Sequence, residues 1–210
     1  MTNKELVAFA KSKLGVPYVY GMKGAVMTLA KYNQLKTAYG SNVWNSDKNK
    51  VGKVCCDCSG LISWATGVMR GSSQYKSAAK NVYDISTIAK APVGALVWQS
   101  GHIGIYIGIE NGVPYYIAED GSAYGCRKNK LSNAKFTHWF LCTDITYVED
   151  KKGEEEMDKT TIKISVNGAT KTLEGFNVDG TNYVTIRELC ELLGVTVGYD
   201  SATKMVVLSK

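Results

Sequence analysis

Residues 102–109 alternate without a break. Ile103, Ile105, Ile107 and Ile109 fall on one face of an extended chain, and His102, Gly104, Tyr106 and Gly108 fall on the other. A period of two excludes a helix here and predicts a strand whose isoleucine face is core. The glycines leave the opposite face nearly bare, fit for a helix or a ligand to lie against. His102 projects from that bare face, where the helix carrying Cys58 is expected to pack.

Upstream, Asp57-Cys58-Ser59-Gly60-Leu61-Ile62 opens a segment in which Leu61, Trp64, Ala65 and Val68 recur at helical spacing. Asp57 stands at the N-cap, where its side-chain oxygen can accept from unpaired amides. Cys58 then falls in the first turn. The positive end of a helix favours a thiolate there, more so beside an imidazolium. Gly60 leaves room for close packing or for a substrate. A free cysteine is most often a small buried apolar residue. The capping aspartate and a downstream histidine favour a nucleophile instead. The chain has only two histidines. His138, between bulky neighbours in Thr137-His138-Trp139-Phe140, reads as packing, which leaves His102 as the base expected to partner Cys58.

Four pieces of the sequence, taken in order, resemble the NlpC-type cysteine peptidases, papain-like enzymes that cut the peptide stems of bacterial cell wall, and especially their phage-lysin branch. They are Gly15-Val16-Pro17-Tyr18-Val19-Tyr20-Gly21, the Asp57-to-Ile62 block, Pro92-Val93-Gly94-Ala95-Leu96-Val97-Trp98 and the His102-to-Gly108 block. The resemblance covers about residues 4–145. The resemblance implies that Cys58 is the nucleophile and His102 the general base. It places Tyr18 in the substrate cleft near the oxyanion, with Asp57 and Ser59 as further substrate contacts.

Two departures stand out. Ala95 occupies the place where the family has Asp after its Pro-x-Gly turn. The family's third polar position lies on the strand after the histidine strand, and gapless alignment of Tyr116-Ile117-Ala118-Glu119 puts Ala118 there. A one-residue slip reverses the face of a strand side chain. A bulge would therefore turn Glu119 inward to hold the ring of His102. Glu119 is the expected third residue, ahead of Asp120; the competing reading has both acids capping a surface loop before Gly121.

The activity implied is hydrolysis of peptidoglycan through a thioester on Cys58, at the bond between γ-D-glutamate and the diamino acid, by a phage or prophage endolysin. Two alternatives stay open: a muramoyl-alanine amidase on the same fold, and a wall-binding protein whose catalytic domain is degenerate. No cofactor is expected. No metal is expected either, because Cys55-Cys56-x-Cys58 lacks a second pair at zinc-finger spacing.

Charge is uneven. Of the 25 Lys and Arg, 17 lie in residues 1–150, against 10 of the 19 Asp and Glu. A basic first domain suits an anionic polymer. Nucleic acid is not the expected partner, since no basic helix, stacking-aromatic module or finger pattern accompanies the charge. The start, Met1-Thr2-Asn3-Lys4-Glu5, leads into an amphipathic helix rather than an apolar signal, and no run is long enough to span a membrane. The expectation is a chain made in the host cytoplasm, its six cysteines reduced, that acts on the wall after release.

The fold class expected is α+β: a papain-like catalytic domain over residues 1–148, a charged linker over 149–159, and a small β-β-α-β-β domain over 160–210. In the first domain an N-terminal helix and the nucleophile helix precede antiparallel strands from Ala95 to about Leu141. An insertion between Gly24 and Asp57, helical over Thr28 to Tyr39, stands beside the cleft and is expected to shape substrate choice. In the tail, Thr161 to Val166 reads as a strand, Asp179-Gly180 as a turn, Val184 to Gly194 as a helix, and Thr196 to Tyr199 and Lys204 to Leu208 as closing strands. This block resembles the N-terminal domain of copper amine oxidases, without implying copper, and is assigned wall binding or self-association. Within the linker, Lys152-Gly153-Glu154-Glu155-Glu156-Met157 can be encoded with a ribosome-binding string shortly before an ATG. Met157 is thus a candidate internal start for a separate tail product.

Overall fold

In a computed structural model, residues 1–148, 159–178 and 181–209 are described. The chain divides into two compact units, Met1–Glu149 and Asp150–Lys210. Most of the expected linker, including Met157, and the Asp179-Gly180 turn lie outside the described residues.

The first unit is α+β. Helix α1 (Asn3–Ser12) begins in a capping box between Thr2 and Glu5. Strand β1 (Lys23–Val26) pairs antiparallel with β2 (Val54–Cys56), and α2 (Leu29–Tyr39) lies in the insertion between them. Two further helices follow, α3 (Cys58–Thr66) and α4 (Ser72–Ala78). The remaining strands are β3 (Val82–Asp84), β4 (Leu96–Gln99), β5 (His102–Glu110), β6 (Val113–Glu119), β7 (Cys126–Lys130) and β8 (His138–Phe140). They form one sheet in the order β3-β8-β4-β5-β6-β7, antiparallel throughout.

The sheet is covered on both faces. On one, Leu6, Val7 and Ala10 of α1 and Leu61 and Ile62 of α3 pack with Ile103, Ile105 and Ile107. On the other, Val97, Tyr106, Tyr116 and Ala118 meet Leu131, Phe136 and Trp139. This corrects two expectations. The Cys58 helix packs on the isoleucine face, not the glycine face; a Cβ at Gly104 would meet Tyr116, Ala118 and Phe136 instead. The alternation also stops early. Register with β6 shifts between Tyr106 and Gly108, where Gly108 takes φ +104°, and Ile109 turns outward to 49% exposure.

The second unit also departs from its expected pattern, with three strands before the helix rather than two. Strands β9 (Lys159–Val166), β10 (Ala169–Val178) and β11 (Thr181–Val184) form one antiparallel sheet. Helix α5 (Ile186–Leu192) is capped by Thr185, and β12 (Thr196–Asp200) and β13 (Met205–Ser209) form a second sheet. Val184, expected in the helix, closes β11 because the cap at Thr185 sets where the helix starts. Among the described residues, no helix is long and apolar enough to cross a membrane.

Candidate active site

The start of α3 is built by Asp57. Its Oδ1 accepts from the Gly60 amide at 2.6 Å and the Ser59 hydroxyl at 2.9 Å, and its Oδ2 accepts from the Gly21 amide at 2.9 Å. Gly60 is required by crowding: a Cβ there would stand 2.3 Å from the carbonyl oxygen of Met22. The helix ends at Gly67 in the left-handed conformation. Cys58 is thereby held in the first turn, at the wall of a cleft of about 430 Å³ lined also by Tyr20, Lys23, Tyr39, Ser59 and Gln74. Tyr39 comes from the insertion and meets Tyr20 edge to face at 5.1 Å.

His102, the first residue of β5, stands near enough to Cys58 for the thiol to raise its pKa. Its ring stacks on Phe136, with centroids 5.5 Å apart and planes within 8°. Nε2 lies 3.2 Å from Asp120 Oδ1, which leaves Nδ1 as the nitrogen for the thiol. Burial pulls the His102 pKa down. The hydrogen bonds and negative charges of Asp120 and Cys58 outweigh it and push the group up to about 9. Asp120 is fixed in turn: its Oδ2 accepts from Arg127 Nε at 2.6 Å and from the Tyr116 hydroxyl at 3.0 Å. Burial disfavours its charge, yet hydrogen bonds from His102, Arg127 and Tyr116 hold its carboxyl below the usual range.

The carboxylate on the ring is therefore Asp120, and the expectation for Glu119 is corrected. The physical reason is register. Ile105 pairs with Ile117 and Tyr106 with Tyr116, so continuing the ladder sets Asp120 across from His102. No irregularity breaks β6 against β7, where Ala118 pairs with Arg127 and Glu119 with Cys126. Glu119 therefore stays on the opposite face, fully buried. Its Oε1 accepts from the Cys56 thiol at 2.9 Å, and among the described residues its Oε2 has no hydrogen-bond partner. Desolvation pushes its pKa up to about 8, which favours the neutral acid.

That assignment predicts a slope. An unfolded Glu ionises near 4.5 while the folded one keeps its proton to about 8. Between those values the native state binds more protons, so this group makes stability fall as pH rises. Glu119→Gln should remove the slope, gaining on the wild type by up to a few kcal/mol from pH 5 to pH 8. Urea unfolding at the two pH values measures it; parallel losses in both proteins would mean that Glu119 is ionised in the fold.

Tyr18 is half-buried, and its hydroxyl, pushed up chiefly by burial, also feels the charges of Cys58 and Asp57. Asp57 and Ser59, expected to touch substrate, are already engaged by a residue with no motif of its own. Lys23 Nζ donates to Asp57 Oδ1 at 3.1 Å and to Ser59 Oγ at 2.6 Å. The sequence offers no local signal for Lys23, because the bonds span more than thirty residues. His138 lies away from the thiol, its Nδ1 2.8 Å from the Thr137 hydroxyl and its ring tilted against Trp98. Among the described residues, no three His, Cys, Asp or Glu side chains gather as a metal site requires.

No protein-family model matches the chain, and no curated protein matches it. Among solved structures, the chain is similar to the NlpC/p60 domain of the peptidoglycan hydrolase SagA, with TM-score 0.44 and 19% identity over 67% of this chain and 99% of that one. It is likewise similar to the P60 domain of an antigen from M. avium subspecies paratuberculosis, with TM-score 0.44 and 23% identity over 69% of this chain and 96% of that one.

Proposed function

We propose that the first unit is a cysteine-type peptidoglycan hydrolase that cuts a stem-peptide amide. One observation carries the reading: a thiol at a capped helix start and at the wall of an open cleft, near an imidazole whose far nitrogen is held by a buried carboxylate. The Cys58 sulfur attacks the amide carbonyl carbon. Backbone amides in the first turn of α3 and the Tyr18 hydroxyl are assigned as donors to the oxyanion that forms. His102 carries the proton from the thiol to the departing amine, leaving an acyl thioester. It then takes a proton from water, whose oxygen displaces the sulfur and forms the carboxylate. Asp120 fixes the ring and supports the imidazolium. That carboxylate supports the hydrolase reading over a degenerate, wall-binding domain.

The basic character of residues 1–150 suits the anionic wall. The reading extends to an endolysin made in the host cytoplasm and released at lysis, with the γ-D-glutamyl bond as its target. Turbidity loss on purified walls separates an enzyme from a binder. Mass spectrometry of the released fragments separates an endopeptidase, which frees a diamino-acid amine, from a muramoyl amidase, which frees the amine of the first alanine.

The second unit is assigned wall recognition or self-association. Among its described residues only Ile162 and Cys190 are buried apolar side chains, while Tyr199, Val206 and Leu208, on one face of the β12-β13 pair, are exposed. A unit with so little core gains from covering such a surface. A tagged full-length chain should lose wall sedimentation or dimer formation when Tyr199 and Leu208 are both changed to Ser. Unchanged sedimentation and unchanged mass in solution would reject both roles for this face.

A further inference from the structure

The insertion does more than border the cleft. Asp47 is fully buried, and its Oδ2 accepts from the Trp44 amide at 2.8 Å and the Ser122 hydroxyl at 3.1 Å. Its Oδ1 pairs with Lys50 Nζ at 2.6 Å. That ammonium has two further acceptors, both backbone carbonyls from distant segments: Tyr18 at 2.6 Å and Ser122 at 2.9 Å. All three of its donors are thus used. Tyr18 belongs to the segment beside Cys58. Ser122 sits in the tight turn that follows Asp120, in which the amides of Tyr124 and Gly125 both bond to the Gly121 carbonyl. One ammonium therefore ties the two walls of the site together from behind.

We propose that Lys50, held by Asp47, is a positioning residue that sets Asp120 against His102 and Tyr18 against Cys58, so that the insertion assembles the site. The proposal rests on the hydrolase reading above. Its chemistry follows from how a lysine bonds. A lysine with three well-placed acceptors on three segments fixes their separation. A loop left without it moves, and a misplacement of about 1 Å near reacting groups can cost on the order of 100-fold in rate. The groups facing His102 are Cys58, Asp120 and Phe136, with Tyr116 and Arg127 behind Asp120. The clasp touches none of them directly and acts through the turn after Asp120.

Removing Lys50 alone strands a buried carboxylate, which can unfold a domain. The double variant Asp47→Asn with Lys50→Met leaves no unpaired charge and keeps the amide contact at Trp44, so it is the informative protein. Lys50→Arg is the conservative partner. The measurement is the rate of Cys58 alkylation by iodoacetamide across pH, together with kcat and KM on purified walls. In the wild type the alkylation profile should show an upper inflection near 9, where His102 is expected to lose its proton. In the double variant that inflection should move down by about one unit as Asp120 loses its hold. kcat should fall at least about 10-fold with KM within about 2-fold, and Lys50→Arg should recover part of both. A double variant that folds and keeps the wild-type inflection and kcat overturns the proposal. A wild-type profile without preferential labelling of Cys58 overturns the hydrolase reading instead, so the two failures are distinguishable.

Discussion

Cys58→Ser is expected to abolish wall lysis, with a loss on the order of 10⁴-fold or more, while the fold and wall binding stay intact. The substitution replaces sulfur by oxygen at a buried first-turn position whose geometry is set by Asp57, so little packing changes. What changes is the nucleophile. A serine hydroxyl beside His102 is far harder to deprotonate than a thiol, and the cleft offers no other thiol: Cys55, Cys56, Cys126 and Cys142 are buried elsewhere, with burial pushing the thiols of Cys55, Cys126 and Cys142 up to about 11, 12 and 11. Iodoacetamide should therefore label Cys58 first near neutral pH. Residual lysis above about one per cent in Cys58→Ser, with the variant's thermal unfolding unchanged, would move the nucleophile elsewhere.

Asp120→Asn is the second large effect. It keeps the shape of the side chain but removes the charge that supports the imidazolium, and turnover should drop about 10³- to 10⁴-fold. KM should change little, since Asp120 faces His102, Tyr116 and Arg127 rather than the cleft. The pH dependence has a definite sign. The His102 pKa is raised, so the stability that its protonated form contributes is fully present below about 6.5 and is lost as pH rises through about 9. Asp120→Asn should bring the alkaline limb of the rate profile down toward 6.5 and remove stability mainly at neutral pH and below. Glu119→Ala should leave that limb in place, because Glu119 is turned to Cys56. Equal alkaline shifts in both variants would mean that neither acid alone holds the ring.

Much of this site was legible in the sequence because its signals are local. The Asp57 cap, the first-turn cysteine and the helical stripe through Leu61 lie within one segment and act over a few residues. The strand beginning at His102 announced itself by its period. What failed was register. Alternation along β6 is enough to place Ala118 and Asp120 on the face opposite Glu119, and Arg127 supplies a cation for that face. Yet a bulge was expected where the strand runs regularly, and the real irregularity lies at Gly108, downstream on β5. The contacts of Lys23 and Lys50 were invisible for a different reason. Each is an ordinary lysine in a polar stretch, and its partners stand up to 72 residues away. In the tail, the added strand Thr181–Val184 escaped notice because Val184 also fits the apolar spacing of the helix that follows.

The central claim is amide hydrolysis by Cys58, and digestion of purified peptidoglycan in ¹⁸O-labelled water tests it most directly. Mass spectrometry of the wild-type digest should show paired fragments, one with a new amine and one with a new carboxylate carrying a single ¹⁸O atom from water; the Cys58→Ser digest should show neither. The same fragments from Cys58→Ser, or none from folded wild-type protein, would contradict it.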